Sequence, residues 1–124
     1  MFQAQMLTVG AATTKVYSPW FPRGGDAVTI TLDLAALGGT GPTLTVRLYT
    51  KSSDTTGDGG TAVTPTGTLI ARTTTGRSSC EYSTNTTGMM NELVRYGFEV
   101  SGTAGDWVLF RMLPPVWFDS VKTV

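Results

Sequence analysis

Histidine does not occur in this 124-residue chain. Its absence removes the side chain that most often acts as general base near neutral pH, the commonest metal ligand, and the base of Ser/His/Asp and Cys/His pairs. Cysteine occurs once, at Cys80, so no disulfide can close within the chain and no multi-cysteine metal site can form. With no histidine to activate it, that thiol reads as a small core or strand residue rather than a nucleophile. Charge is also scarce: 15% of residues are charged, against about 25% in typical soluble domains, and nine basic side chains balance nine acidic ones. A neutral chain makes no field that gathers a polyanion, so nucleic acid is not an expected partner. No apolar run approaches the roughly 20 residues of a spanning helix. Residues 1–5 lack the basic region and apolar stretch of a signal peptide. The expectation is a product of a cytoplasm with no membrane partner. Asn85-Thr86-Thr87 matches a glycosylation sequon and reads, without a secretion route, as a polar turn.

What fills the chain instead is threonine, at 23 positions, with 15 glycines and 6 prolines to punctuate it. Threonine is β-branched and favours extended backbone, and glycine and proline mark turns. Hydrophobic residues make up 40%, enough for one core, and the length suits one domain spanning 1–124. The clearest strand is 28–34, where Val28, Ile30, Leu32 and Leu34 alternate with Thr29, Thr31 and Asp33. Gly38, Gly39 and Gly41 then turn the chain. In the next strand, 43–50, Leu44, Val46 and Leu48 point inward and Thr45, Arg47 and Tyr49 outward. Weaker alternation places strands at 2–9, 14–17, 61–64, 68–73 and 79–84, and 87–92 reads as a single helical turn capped by Thr87. Short strands without helical periodicity predict an all-β fold: a single-domain antiparallel β-sandwich, jelly-roll-like, with a barrel as the main competitor.

The last third offers a register. Val94, Tyr96, Phe98 and Val100 form one apolar stripe, and Val108, Phe110 and Met112 another, separated by the turn-forming residues 102–106. A hairpin pairing Ser101 with Trp107 would set Val100 against Val108, Phe98 against Phe110 and Tyr96 against Met112 on one face. Glu99 would then lie diagonal to Arg111 on the other.

Candidate chemistry is thin. Asp26, Asp33, Asp54, Asp58, Glu81, Glu92, Glu99, Asp106 and Asp119 fall in turns or on polar strand positions, where capping and solvation explain a carboxylate better than paired acid–base work. The stretch 54–60, Asp-Thr-Thr-Gly-Asp-Gly-Gly, has some of the oxygens of a calcium loop but lacks its alternating carboxylates and terminal glutamate. No phosphate cradle is expected either, since no lysine and no helix follow those glycines. No catalytic residue, metal site or cofactor is expected.

Binding has more to work with. Two proline-flanked aromatic segments, within 17–25 and 113–124, leave the regular sheet because proline cannot donate to a ladder. They hold Tyr17-Ser18-Pro19-Trp20-Phe21-Pro22-Arg23 and Pro114-Pro115-Val116-Trp117-Phe118-Asp119. Such segments either cap the open ends of their own sandwich or press on a neighbour. In the second case Trp20, Phe21, Arg23, Trp117 and Phe118 are the partner-binding residues, because buried Trp and Arg dominate interface energies.

The layout resembles the small β-sandwich decoration or cement proteins of tailed-bacteriophage capsids. The likeness rests on a short extended N-terminal segment, Thr-rich strands such as Leu44-Thr45-Val46-Arg47-Leu48-Tyr49-Thr50, and the late strand Leu93-Val94-Arg95-Tyr96-Gly97-Phe98-Glu99-Val100. That resemblance implies a virion structural protein without catalytic residues. It would be made in the host cytoplasm and bound as an oligomer, often a trimer, to the major capsid protein and to copies of itself. The alternative is a carbohydrate- or receptor-binding β-sandwich in which Trp20 or Trp117 stacks on a sugar; an enzyme built on carboxylates is the third class.

Overall fold

A computed structural model describes residues 5–10, 13–54, 61–62, 68–83 and 90–119. Along them run eleven strands: β1 (Gln5–Thr8), β2 (Thr14–Tyr17), β3 (Phe21–Pro22), β4 (Ala27–Gly38), β5 (Thr43–Lys51), β6 (Thr61–Ala62), β7 (Thr68–Arg72), β8 (Gly76–Ser83), β9 (Leu93–Ser101), β10 (Trp107–Met112) and β11 (Val116–Phe118). The described residues contain no helix. Residues 2–4, 55–60, 63–67, 87–89 and 120–124, which carry parts of the expected N-terminal strand, the calcium-like loop, the 61–64 strand, the helical turn and the C-terminal aromatic segment, lie outside the described residues.

The strands form two antiparallel sheets. In the first, β10 lies between β1 and β4, and β8 covers the far edge of β4, with short β11 continuing the β10 edge over Ala27–Thr29. In the second, β9 pairs with β5 along its whole length. β2 and β3 share the outer edge of β9, and β7 and β6 the outer edge of β5. Treating β2 with β3, and β7 with β6, as interrupted ribbons, the order β1-β10-β4-β8 faces β2/β3-β9-β5-β7/β6. Most connections cross from one sheet to the other, and this order is that of a jelly roll.

Period-two patterning explains the layers. Even-numbered residues of β4 and β5, including Val28, Ile30, Leu32, Leu34, Leu44, Val46 and Leu48, are almost wholly buried between the sheets, each contributing about 1.5–3 kcal/mol. Threonines fill many of the odd positions and keep the outer faces wet. The parity of β4 changes once. Its register against β10 slips between Leu109 and Phe110, leaving exposed Ala35 as the extra residue, so that Leu37 rather than an even-numbered residue packs on the core.

The expected hairpin between the two late strands does not form. β9 belongs to the second sheet and β10 to the first. Phe98 and Phe110 do meet, with ring centroids 5.1 Å apart, but across the sandwich rather than along a ladder. The physical reason is that alternation fixes which side of a strand is buried and leaves open whether that side meets its partner within one sheet or between two. β9 finds a nine-residue ladder on β5, and β10 a register on β4 that sets Arg111 beside Asp33. Glu99 accordingly pairs with Arg47 at 3.3 Å, and Arg111 with Asp33 at 3.3 Å, in place of the expected Glu99–Arg111 diagonal.

Candidate binding face

Pro19 interrupts the outer ribbon of the second sheet. It cannot donate to β9, and Ser18 replaces the missing rungs. Ser18 donates its backbone N–H to the Tyr96 carbonyl at 2.9 Å, and its hydroxyl accepts from the Tyr96 N–H at 2.9 Å and donates to the Pro19 carbonyl at 3.1 Å. On resuming as β3, the chain sends two consecutive aromatics to opposite sides. Phe21 turns inward, 5.6 Å from the Tyr96 ring and 6.5 Å from Trp117, all centroid to centroid. Trp20 turns outward, over the exterior of the second sheet.

That exterior carries a cluster of rings and cations. Strand pairing brings Tyr17, Gly97 and Arg47 into one row and sets Tyr49 beside Arg95. Gly97 has no side chain to separate the tyrosines; a Cβ there would sit 2.6 Å from the Tyr49 ring. Tyr17 and Tyr49 therefore meet edge to face at 5.6 Å. The Arg95 guanidinium lies over Tyr17 at 4.2 Å, Trp20 at 4.6 Å and Tyr49 at 5.8 Å from their ring centroids. Lys51 places its ammonium 4.8 Å from the Trp20 centroid. Arg95 is only 8% exposed, so a charge on an outer face is covered by rings whose quadrupoles stabilise it, an effect worth about 2 kcal/mol where water is excluded. Burial, followed by the neighbouring Tyr17 phenol, raises the Tyr49 pKa. Tyr17, 42% exposed, presents this cluster to solvent.

The two ends of the sandwich frame the face. At one, Asp106 is the acceptor for Thr40 and Thr103. Its carboxylate takes the Thr40 N–H at 2.9 Å, the Thr103 N–H at 3.1 Å and the Thr40 hydroxyl at 3.3 Å; its backbone carbonyl accepts the Val9 N–H and its own N–H donates to the Thr103 carbonyl. These bonds, that from the Thr40 amide foremost, hold the Asp106 carboxyl below the usual carboxylate range. Gly39 and Gly102, with φ of 104° and 148°, let both loops curl around it, and a Cβ on either would strike the carboxylate. At the other end the two proline-flanked segments come together. Trp117 packs against Gly24, where a Cβ would approach within 2.8 Å, while Phe118 runs beside Gly25 and pairs with Ala27. Asp119 accepts the Asp26 N–H at 3.3 Å.

The five aromatic and basic residues expected at an interface are thus divided. Phe21 and Trp117 lie against their own core and Phe118 is half-buried beside them. Arg23, half-buried at the same end, donates its backbone N–H to the Glu92 carbonyl at 3.0 Å, and its Nη1 finds no hydrogen-bond partner among the described residues. Trp20 alone joins the outer face. Arg95, with its company of Tyr17, Tyr49 and Lys51, is not among the residues that the sequence marks for an interface. The alternation Val94-Arg95-Tyr96-Gly97 does put Arg95 beside a glycine gap on an outer face. Only the cross-strand register shows which rings fill that gap.

Elsewhere the carboxylates are spread out: among the described residues no three of His, Cys, Asp and Glu come together in a group that could hold a metal ion. Asp33 is shared by Arg111 and, at 3.8 Å, Arg77 on the exterior of the first sheet. Cys80 pairs with Ile30 and packs at the rim of the core, where burial raises its thiol pKa. Comparison with protein families, curated proteins and solved structures finds no match to this chain.

Proposed function

We propose that the protein is a non-catalytic structural component of a virion, a decoration protein that attaches in several copies to the major capsid protein and reinforces the shell. The observation that carries this reading is the exterior of the second sheet, where Tyr17, Trp20, Tyr49, Arg95 and Lys51 are gathered on a rigid sheet. Tyr, Trp and Arg are the residue types enriched at the energetic centres of protein interfaces, and ordering them before contact lowers the entropy cost of docking. The layout in sequence resembles capsid decoration proteins, and jelly rolls build both capsid and lectin domains, a likeness of fold alone.

The alternative, a sugar-binding module, draws on the same rings. A sugar stacks on an open aromatic face, whereas Trp20 has Arg95 and Lys51 set over its ring. The cluster therefore suits contact with protein better than stacking on a pyranose.

The test is the protein in its native setting, examined by electron microscopy of particles and by mass measurement of the purified chain. A symmetric array on the outside of a head, with binding to shells that lack the protein, is the expected result. A monomer that fails to attach to such shells overturns the proposal, and hits on a glycan array would replace it with the lectin reading.

A further inference from the structure

We infer that the exterior of the second sheet docks against an acidic protein surface, and that this face rather than the aromatic end is where the chain meets its partner. The inference rests on the proposed binding role and adds the face and the chemistry of the occupant.

The motive is charge segregation in a chain whose total is zero. Strand register puts Lys15, Arg47, Lys51 and Arg95 on this one exterior, with Glu99 as its carboxylate among the described residues. The exterior of the first sheet is balanced, with Asp33 and Glu81 alongside Arg77 and Arg111. The remaining described carboxylates, Asp26, Asp54, Glu92, Asp106 and Asp119, sit in the loops. A neutral molecule thus shows one positive face, whose field is felt within about 10 Å at ordinary salt and steers only a surface that comes close. Complementary potential favours an acidic occupant. A protein is favoured over a nucleic acid or an anionic polysaccharide because base and sugar stacking need open ring faces, and here Arg95 lies over Tyr17, Trp20 and Tyr49.

The test uses the whole isotopically labelled chain titrated with poly-L-glutamate, read by amide chemical shifts. Shifts should concentrate at Lys15, Tyr17, Arg47, Tyr49, Lys51 and Arg95 and disappear at about 0.5 M salt. Lys15→Glu should weaken binding about tenfold, and the Lys15→Glu/Lys51→Glu pair further, while Arg77→Glu on the opposite sheet should leave it unchanged. The amide spectrum of each variant reports its fold, and exposed Lys15 supplies the decisive comparison should the Lys51 change disturb Trp20. Shifts at other sites, undiminished binding by Lys15→Glu, or tighter binding of dextran sulfate or single-stranded DNA than of poly-L-glutamate on this face would overturn the inference. The capsid proposal is separable: shells that bind the Lys15→Glu/Lys51→Glu variant as well as the parent refute the face and keep the function. Poly-L-glutamate binding here without attachment to any shell keeps the face and refutes the function.

Discussion

The two ends of the sandwich are closed by opposite means. One is tied by a single carboxylate: Asp106, 3% exposed, draws in the loop before β5 and the loop before β10 through directional bonds to backbone amides. The other is filled by rings, with Phe21, Tyr96 and Trp117 stacked over the core and two polar atoms left over, the Tyr96 hydroxyl and Arg23 Nη1, that are buried and find no hydrogen-bond partner among the described residues. The difference teaches where tolerance lies. A polar closure is satisfied and specific, and fails through loss of one acceptor. An aromatic closure gains from area, fails through lost volume, and carries an unmet desolvation cost that a substitution could relieve.

The largest effect should follow from Trp117→Ala. The indole fills the space above Gly24 and meets Phe21, so its removal leaves a hole at the aromatic end and should cost about 3 kcal/mol in a denaturant titration. A loss under about 1 kcal/mol would mean that this end adds little to the core. Asp106→Asn should come next, lowering Tm by roughly 5–10 °C as the acceptor for the Thr40 and Thr103 amides weakens. The folded-state pKa of this carboxyl is depressed, so its stabilisation is complete above the unfolded value of about 4 and is lost as pH falls through the folded value. The parent should therefore lose stability in acid more steeply than Asp106→Asn, and parallel Tm–pH curves would refute the role given to Asp106.

How much of this was legible beforehand differs between the ends and the faces. The buried stripes of β4 and β5 follow directly from alternation at Val28, Ile30, Leu32, Leu34, Leu44, Val46 and Leu48, and the jelly-roll-like sandwich follows with them. The departure of 17–25 and 113–124 from regular pairing is visible in their prolines; that the segments meet at one end through Phe21 and Trp117 is not, because nothing local couples residues so distant in the chain. Facing strands and paired strands give the same alternation, which is why β9 and β10 read as a hairpin. Arg95 was missed for a related reason. A charged residue at an outward position is usually solvated, and its burial depends on Tyr17 and Trp20 arriving from another ribbon.

Two smaller effects sharpen the contrast between the ends. Tyr96 lies wholly within the core, and burial pushes its phenol well above the usual range while the described residues supply no acceptor. Tyr96→Phe keeps the ring against Phe21 and deletes the unmet hydroxyl, so stability should rise by about 1 kcal/mol. A loss of similar size would instead reveal a partner such as bound water.

The smallest effect is expected at Glu92, an exposed carboxylate of the aromatic end. It accepts the Ser53 N–H at 3.0 Å, and backbone hydrogen bonding, from its own amide first and then from Ser53, lowers its pKa as such bonds do at Asp106. Exposure separates the two. Water competes for every bond that Glu92 makes, so Glu92→Gln should change Tm by about 1 °C or less and leave the acid limb of the stability curve almost unmoved. Equal losses from Glu92→Gln and Asp106→Asn would mean that both ends are held by carboxylates, and that the rings of the aromatic end serve something other than closure.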